Sequence, residues 1–161
     1  MNGAESLVET LVNNNIEVCF TNPGTSEMHF VAALDSLPGM RCVLGLFEGV
    51  VSGAADGYAR MAHKPAATLL HLGPGLSNAL ANIHNAKKGN VPMLNIIGEH
   101  ATYHQQYETP LTSDIEGIAR SVSHWFHTSD SAKKIAEDGK ELLTRKLRHL
   151  KVTLNESTIN E

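Results

Sequence analysis

The 161-residue sequence has only two cysteines and no run approaching the roughly 18 consecutive apolar residues of a membrane-spanning helix. Cys19 and Cys42 lie inside apolar, strand-like runs, without metal-ligand spacing, and read as buried thiols rather than a disulfide. Positive charge is not in excess: the formal net charge of −4 leaves no basic footprint for nucleic acid. Met1-Asn2-Gly3-Ala4-Glu5 lacks the charged-then-apolar order of a secretory signal. The expectation is a cytoplasmic protein with neither membrane nor nucleic acid as partner. His100 and His104 stand four apart, but no helical pattern surrounds them and no third ligand is in register, so no metal site is expected. What is present is 42% hydrophobic and 19% charged residues, enough for one globular domain with a sizeable core. Six of the nine histidines fall between His71 and His127.

Apolar runs alternate with helical patterns. Ala4 to Asn14 carries an apolar stripe at Leu7, Val8, Leu11 and Val12. Strands are expected at 16–20, 41–44, 66–72, 92–98 and 123–127. Helices are expected from Thr25 or Ser26 to Leu37, after Glu48, from Leu76 to Lys88, from Asp114 to Arg120 and from about Ala132. Short connections between alternating elements predict an α/β fold: a mostly parallel sheet of five or more strands with helices on both faces. In such sheets ligands bind at the carboxyl ends of the strands. There the turn Asn22-Pro23-Gly24, Glu48, and His71 with Gly73-Pro74-Gly75 would converge. The loop carrying Glu99 and His100 follows the fourth strand.

Glu48 is the one acidic residue expected directly at that mouth. Walled by Leu44, Leu46, Phe47, Val50 and Val51, it would be poorly solvated, and desolvation raises a carboxyl pKa. That would suit a general acid–base. The plain alternative is a solvated glutamate at the positive end of a helix dipole. The helix behind it repeats glycine at 49, 53 and 57, forming one ridge. Each glycine costs a helix about 1 kcal/mol relative to alanine. The ridge fits either tight core packing or a partner subunit. Gly73-Pro74-Gly75 reads as a tight turn before a helix, without the spacing of a phosphate-binding loop. His71 could equally be a satisfied core histidine.

An ordered set of motifs carries a resemblance: Asn22-Pro23-Gly24-Thr25-Ser26-Glu27, Phe47-Glu48-Gly49, Ala54 to Arg60, Gly73-Pro74-Gly75 with Asn78, and Pro92 to Gly98. Together, over about residues 3–138, they resemble the N-terminal pyrimidine-binding domain of thiamine diphosphate-dependent enzymes, near the acetolactate synthase and benzoylformate decarboxylase branch. The resemblance implies a flavodoxin-like domain in which Glu48 hydrogen-bonds the cofactor's aminopyrimidine. It places Pro23, Gly24, Gly73 and Asn78 near the cofactor, Thr25 on the substrate side, and His71 as a proton relay in contact with substrate. It also implies a small 2-oxo acid as substrate and a dimer interface at the glycine-rich helix.

Two departures follow. Gly98-Glu99-His100 stands where the family has glycine then glutamine, and the family's Gly-Asp-Gly, which supplies the diphosphate and Mg²⁺ site, does not occur. Residues 1–139 are expected to form the pyrimidine-binding domain. Residues 140–161 are expected to form an atypical charged helical tail with a frayed end from Val152. Five of residues 140–151 are Lys or Arg, where the family would continue with another strand and a linker. A truncated, frame-shifted or split chain, inactive alone, is the first expectation. It would form a homodimer or pair with a diphosphate-binding domain. A non-catalytic assembly or ligand-binding module dimerising through the ridge, and an unrelated flavodoxin-like binder, are the alternatives.

Overall fold

Strand-forming runs that are far apart in sequence become neighbours in one six-stranded parallel sheet, in the order 41–44, 18–22, 66–70, 93–99, 150–155, 125–129. The structure is a computed structural model and describes residues 1–129, 131–144 and 150–155. The strands are β1 Val18–Asn22, β2 Arg41–Leu44, β3 Ala66–Leu70, β4 Met93–Glu99, β5 Trp125–Ser129 and β6 Leu150–Asn155. The helices are α1 Gly3–Asn13, α2 Met28–Ser36, α3 Glu48–Ala62, α4 Leu72–Lys88, α5 Ile115–Val122 and α6 Ile135–Thr144. The α/β class, parallel pairing and five-or-more count all hold.

Alternation along the two central strands builds both cores. Ala67, Leu69, Leu94 and Ile96 face α1 and α2, meeting Leu7, Leu11, Phe30 and Ile135. Ala66, Leu70, Met93 and Ile97 face the other way, onto Val51, Ala55, Leu76, Ile83 and Ala119. Every residue of β3 and β4 is buried. This is why both runs are almost continuously apolar. The exception, Thr68 opposite Asn95, satisfies itself: the Thr68 hydroxyl donates to Asn95 Oδ1 at 2.8 Å. Asn2 starts α1 with a reciprocal cap: its side chain accepts from the Glu5 N–H, and Glu5 accepts from the Asn2 N–H, each at 2.9 Å.

Three expectations need correction. Gly73-Pro74-Gly75 lies inside the first turn of α4, not ahead of it; His71 is the capping residue. Proline is tolerated there because first-turn N–H groups have no helical acceptor. Cys42 is exposed, because β2 is an edge strand; only Cys19 is buried, and both thiols are free. Burial, reinforced by nearby Cys42, pushes the Cys19 thiol well above its ordinary range, which makes it structural rather than reactive.

The third correction concerns the tail. The boundary expected at residue 139 falls within α6, and Leu150–Asn155 enters the sheet between β4 and β5. The charged helix expected over 140–151 is helical through Thr144 and extended from Leu150; residues 145–149 lie outside the described residues. The fraying expected from Val152 is replaced by strand through Asn155, and the remainder, 156–161, is also outside them. Leu150-Lys151-Val152-Thr153-Leu154-Asn155 alternates apolar and polar residues, a period-two signal that the flanking charges obscured.

Among the described residues no helix is long and apolar enough to cross a membrane.

Candidate functional site

The carboxyl ends of β1, β3 and β4, together with the start of α3, bring the candidate residues to one edge of the sheet. Glu48 opens α3 and is only 8% exposed. Asn78, one turn inside α4, donates from Nδ2 to Glu48 Oε2 at 3.0 Å. Gly75 gives the carboxylate room: a Cβ there would stand 3.1 Å from Glu48 Oε1. One turn further along α4, Asn82 donates to the Gly49 carbonyl at 2.6 Å and lies 3.2 Å from Ser52 Oγ. Two asparagines four apart thus pin the start of α3, and Asn82 was not among the residues expected.

The apolar wall expected around Glu48 is not closed by this chain. Val51 is buried, but Leu44, Leu46, Phe47 and Val50 are exposed, Leu46 at 89%. The reason is position: β2 is an edge strand, and the loop after it has no neighbour on its outer side. The glycine ridge also turns out differently. Gly49 lies beneath the Phe47 ring, Gly53 faces Asn82, and only Gly57 meets open space. The exposed stripe of α3 is instead Val50, Gly57 and Met61, with half-buried Ala54 among them on one helix face.

Glu48 is not the only acid at the mouth. Glu27, 2% exposed, lies in the turn after β1, and Glu99, 8% exposed, ends β4. Glu27 Oε2 accepts from the Gly24 N–H at 2.7 Å and sits 2.8 Å from His71 Nδ1. Gly24 is required: a Cβ would fall 2.2 Å from the His71 ring. Glu27 stood in the quoted motif without a role. Its one local signal, a glutamate three residues after a cap position, reads as an ordinary helix cap. Only the fold places it against His71, 44 residues away.

Pro23 and Gly24 are half-buried at this edge, Thr25 is exposed beside them, and His71 is partly exposed. Gly73 is buried beneath Ser113, whose Cβ lies 2.2 Å from where its own would be. Leu72, between His71 and Gly73, has φ +51°, a strained value for leucine that turns the chain sharply from β3 into α4. A cavity of about 240 Å³ lies farther along the edge, lined by residues including Glu99, Ser113, Asp114 and Thr128. Glu48, Asn78 and His71 do not line it.

The sequence model described as thiamine pyrophosphate enzyme, N-terminal TPP binding domain, matches residues 1–134. The chain belongs to this family. The resemblance seen in the motifs holds at the level of the family. Among relatives of this TPP-binding domain, the putative acetolactate synthase large subunit IlvX of Mycobacterium tuberculosis is 59% identical over 138 residues, covering 86% of this chain and 27% of that protein. Benzoylformate decarboxylase of Pseudomonas aeruginosa is 29% identical over 128 residues, covering 79% and 24%. Among solved structures, the thiamine diphosphate-dependent 4-hydroxybenzoylformate decarboxylase of Rhodococcus jostii RHA1 superposes with a TM-score of 0.91 at 22% identity, over 99% of this chain and 31% of that one. The last comparison bears on fold alone. The chain spans about a quarter of the length of these two curated relatives.

Proposed function

We propose that these residues form the aminopyrimidine-binding half of a thiamine diphosphate site acting on a 2-oxo acid, and that the 161 residues alone do not turn substrate over. The observation that carries this reading is Glu48. It is a nearly buried carboxylate at a helix start, held by Asn78, at the ligand edge of a parallel sheet and rimmed by unpaired apolar side chains. That donor set fits the group. A carboxylate can accept an N–H from a heterocycle or share its proton, and the exposed apolar rim of Phe47, Leu46 and Val50 suits a ring covered by a second protein surface. Glu48 would hold the pyrimidine nitrogen, with Pro23, Gly24, Gly73 and Asn78 near the ring. When bound, thiamine diphosphate supplies an electron sink for loss of CO₂ from the 2-oxo acid. Thr25 and His71 would face the substrate, where His71 can take or return a proton.

The sequence contains no Gly-Asp-Gly to hold diphosphate and Mg²⁺, so that half must come from another segment or another chain. The test is 2-oxo acid decarboxylation by the 161-residue chain with thiamine diphosphate and Mg²⁺. No turnover is expected; turnover abolished by Glu48→Gln would sink the inactivity claim and keep the site.

One observation also supports assembly without catalysis. Val50, Gly57 and Met61 leave an apolar stripe on α3 uncovered, and Leu44, Leu46 and Phe47 continue the exposed apolar surface around its start. A second copy or a diphosphate-binding domain is the occupant this surface suits. Light scattering should show a dimer for the wild type and a monomer for Gly57→Leu, whose added Cβ meets nothing within 4 Å in its own subunit. A monomeric wild type would leave the surface to a different domain.

A further inference from the structure

We propose that Glu27 is the positioning residue for His71, fixing which ring nitrogen faces the substrate. This inference rests on the reading that His71 lies on the substrate side. Two donors converge on one oxygen: the Gly24 N–H at 2.7 Å and His71 Nδ1 at 2.8 Å both meet Glu27 Oε2. An oxygen already accepting from a backbone N–H at that distance is best matched by an ionised carboxylate receiving a second N–H. His71 therefore carries its proton on Nδ1. The hydrogen bond made by one imidazole nitrogen sets the state of the other. Nε2 is left as the free lone pair, the nitrogen available to take a proton from a bound substrate.

The seat for Glu27 is built by absences. Its side chain is 1% exposed. Its other oxygen, Oε1, is sealed from solvent without a hydrogen-bond partner. Oε1 packs against Gly98 so closely that a Cβ there would stand 1.7 Å away. A buried carboxylate oxygen with no donor requires an explanation. The core would be better served by an apolar residue at position 27, which could not orient His71. The two glycines that admit the pair, Gly24 and Gly98, come from the turn after β1 and from β4. Two chain segments, the turn after β1 and β4, are thus committed to holding an imidazole carried by a third.

The test uses the 161-residue chain labelled with ¹⁵N-histidine, read by long-range ¹H–¹⁵N correlation where His71 is neutral. In the wild type, Nδ1 should show the protonated and Nε2 the unprotonated resonance. Glu27→Ala should shift the tautomer ratio toward Nε2–H by about tenfold or more, the scale of one hydrogen bond to a charged group. Glu27→Gln, whose amide oxygen can still accept, should retain more of the Nδ1–H form than Glu27→Ala. An Nε2–H tautomer in the wild type would overturn the proposal, and that outcome needs no variant to fold. An unchanged ratio in a folded Glu27→Ala would overturn it as well. No arm contains thiamine diphosphate, so loss of this assignment and loss of the cofactor reading are separate results.

Discussion

Glu48→Gln is expected to lower 2-oxo acid turnover by about 10²–10⁴-fold, the usual contribution of a positioned proton-transfer group. The measurement requires the chain completed by a separately supplied diphosphate-binding domain. Glutamine keeps the length of glutamate, and its amide oxygen can still accept the 3.0 Å hydrogen bond from Asn78 Nδ2. Packing against Gly75 is retained, so the melting temperature should barely move. What glutamine cannot do is share or carry a proton. The loss should therefore fall on kcat more than on KM. A variant with near-normal kcat would remove Glu48 from the chemistry while leaving the family assignment intact.

Gly98→Ala is expected to destabilise the fold by about 1–3 kcal/mol, the common cost of forcing extra volume into a packed interior. For a chain of this size that corresponds to roughly 2–12 °C in melting temperature. The added methyl would stand 1.7 Å from Glu27 Oε1 and 2.6 Å from its carboxyl carbon. The Glu27 side chain can move, but only by giving up the Gly24 N–H and His71 together. Differential scanning calorimetry on Gly98→Ala, Glu27→Ala and the double variant isolates the cause. If the clash is with the carboxylate, the double variant should lose markedly less than the sum of the single losses. Additive losses would place the strain elsewhere along β4.

The parallel sheet was legible because its central strands carry the signal of burial on both faces. Ala66–Leu70 and Met93–Glu99 are apolar throughout apart from Thr68, Asn95 and the terminal Glu99, and they pair as neighbours. Boundaries were less legible: the first strand is Val18–Asn22, two residues later than its apolar run suggested. Hydrogen bonding, not hydropathy alone, sets where a strand ends. Leu150–Asn155 was misread because lysines and arginines precede it, and its place between β4 and β5 depends on partners about 20 to 60 residues away.

The candidate site divides the same way. Glu48, Gly24 and His71 stood out as candidates because their motifs occur in a fixed order and each lies at a strand-to-helix junction, and Asn78 followed as part of the Gly73-Pro74-Gly75 motif at the start of α4. The environment of Glu48 was not. Whether Leu44 and Leu46 wall a pocket or face solvent depends on β2 being an edge strand, and sequence spacing does not encode strand order. The orientation of the glycine helix was likewise decided by Asn82 reaching Gly49 and Ser52 from another helix.

By itself, then, the sequence determined the family, the alternation of strands and helices, and the identity of the carboxylate at the start of α3. These depend on local propensity, hydrophobic period and motif order, all written along the chain. The tertiary structure alone decided that a second carboxylate, Glu27, is buried beside His71, that two glycines make room for the pair, and that the apolar rim of Glu48 is left uncovered. Those are properties of distance and exclusion between segments brought together by folding. A residue's burial and its partner are fixed only when the strands that flank it have found their order.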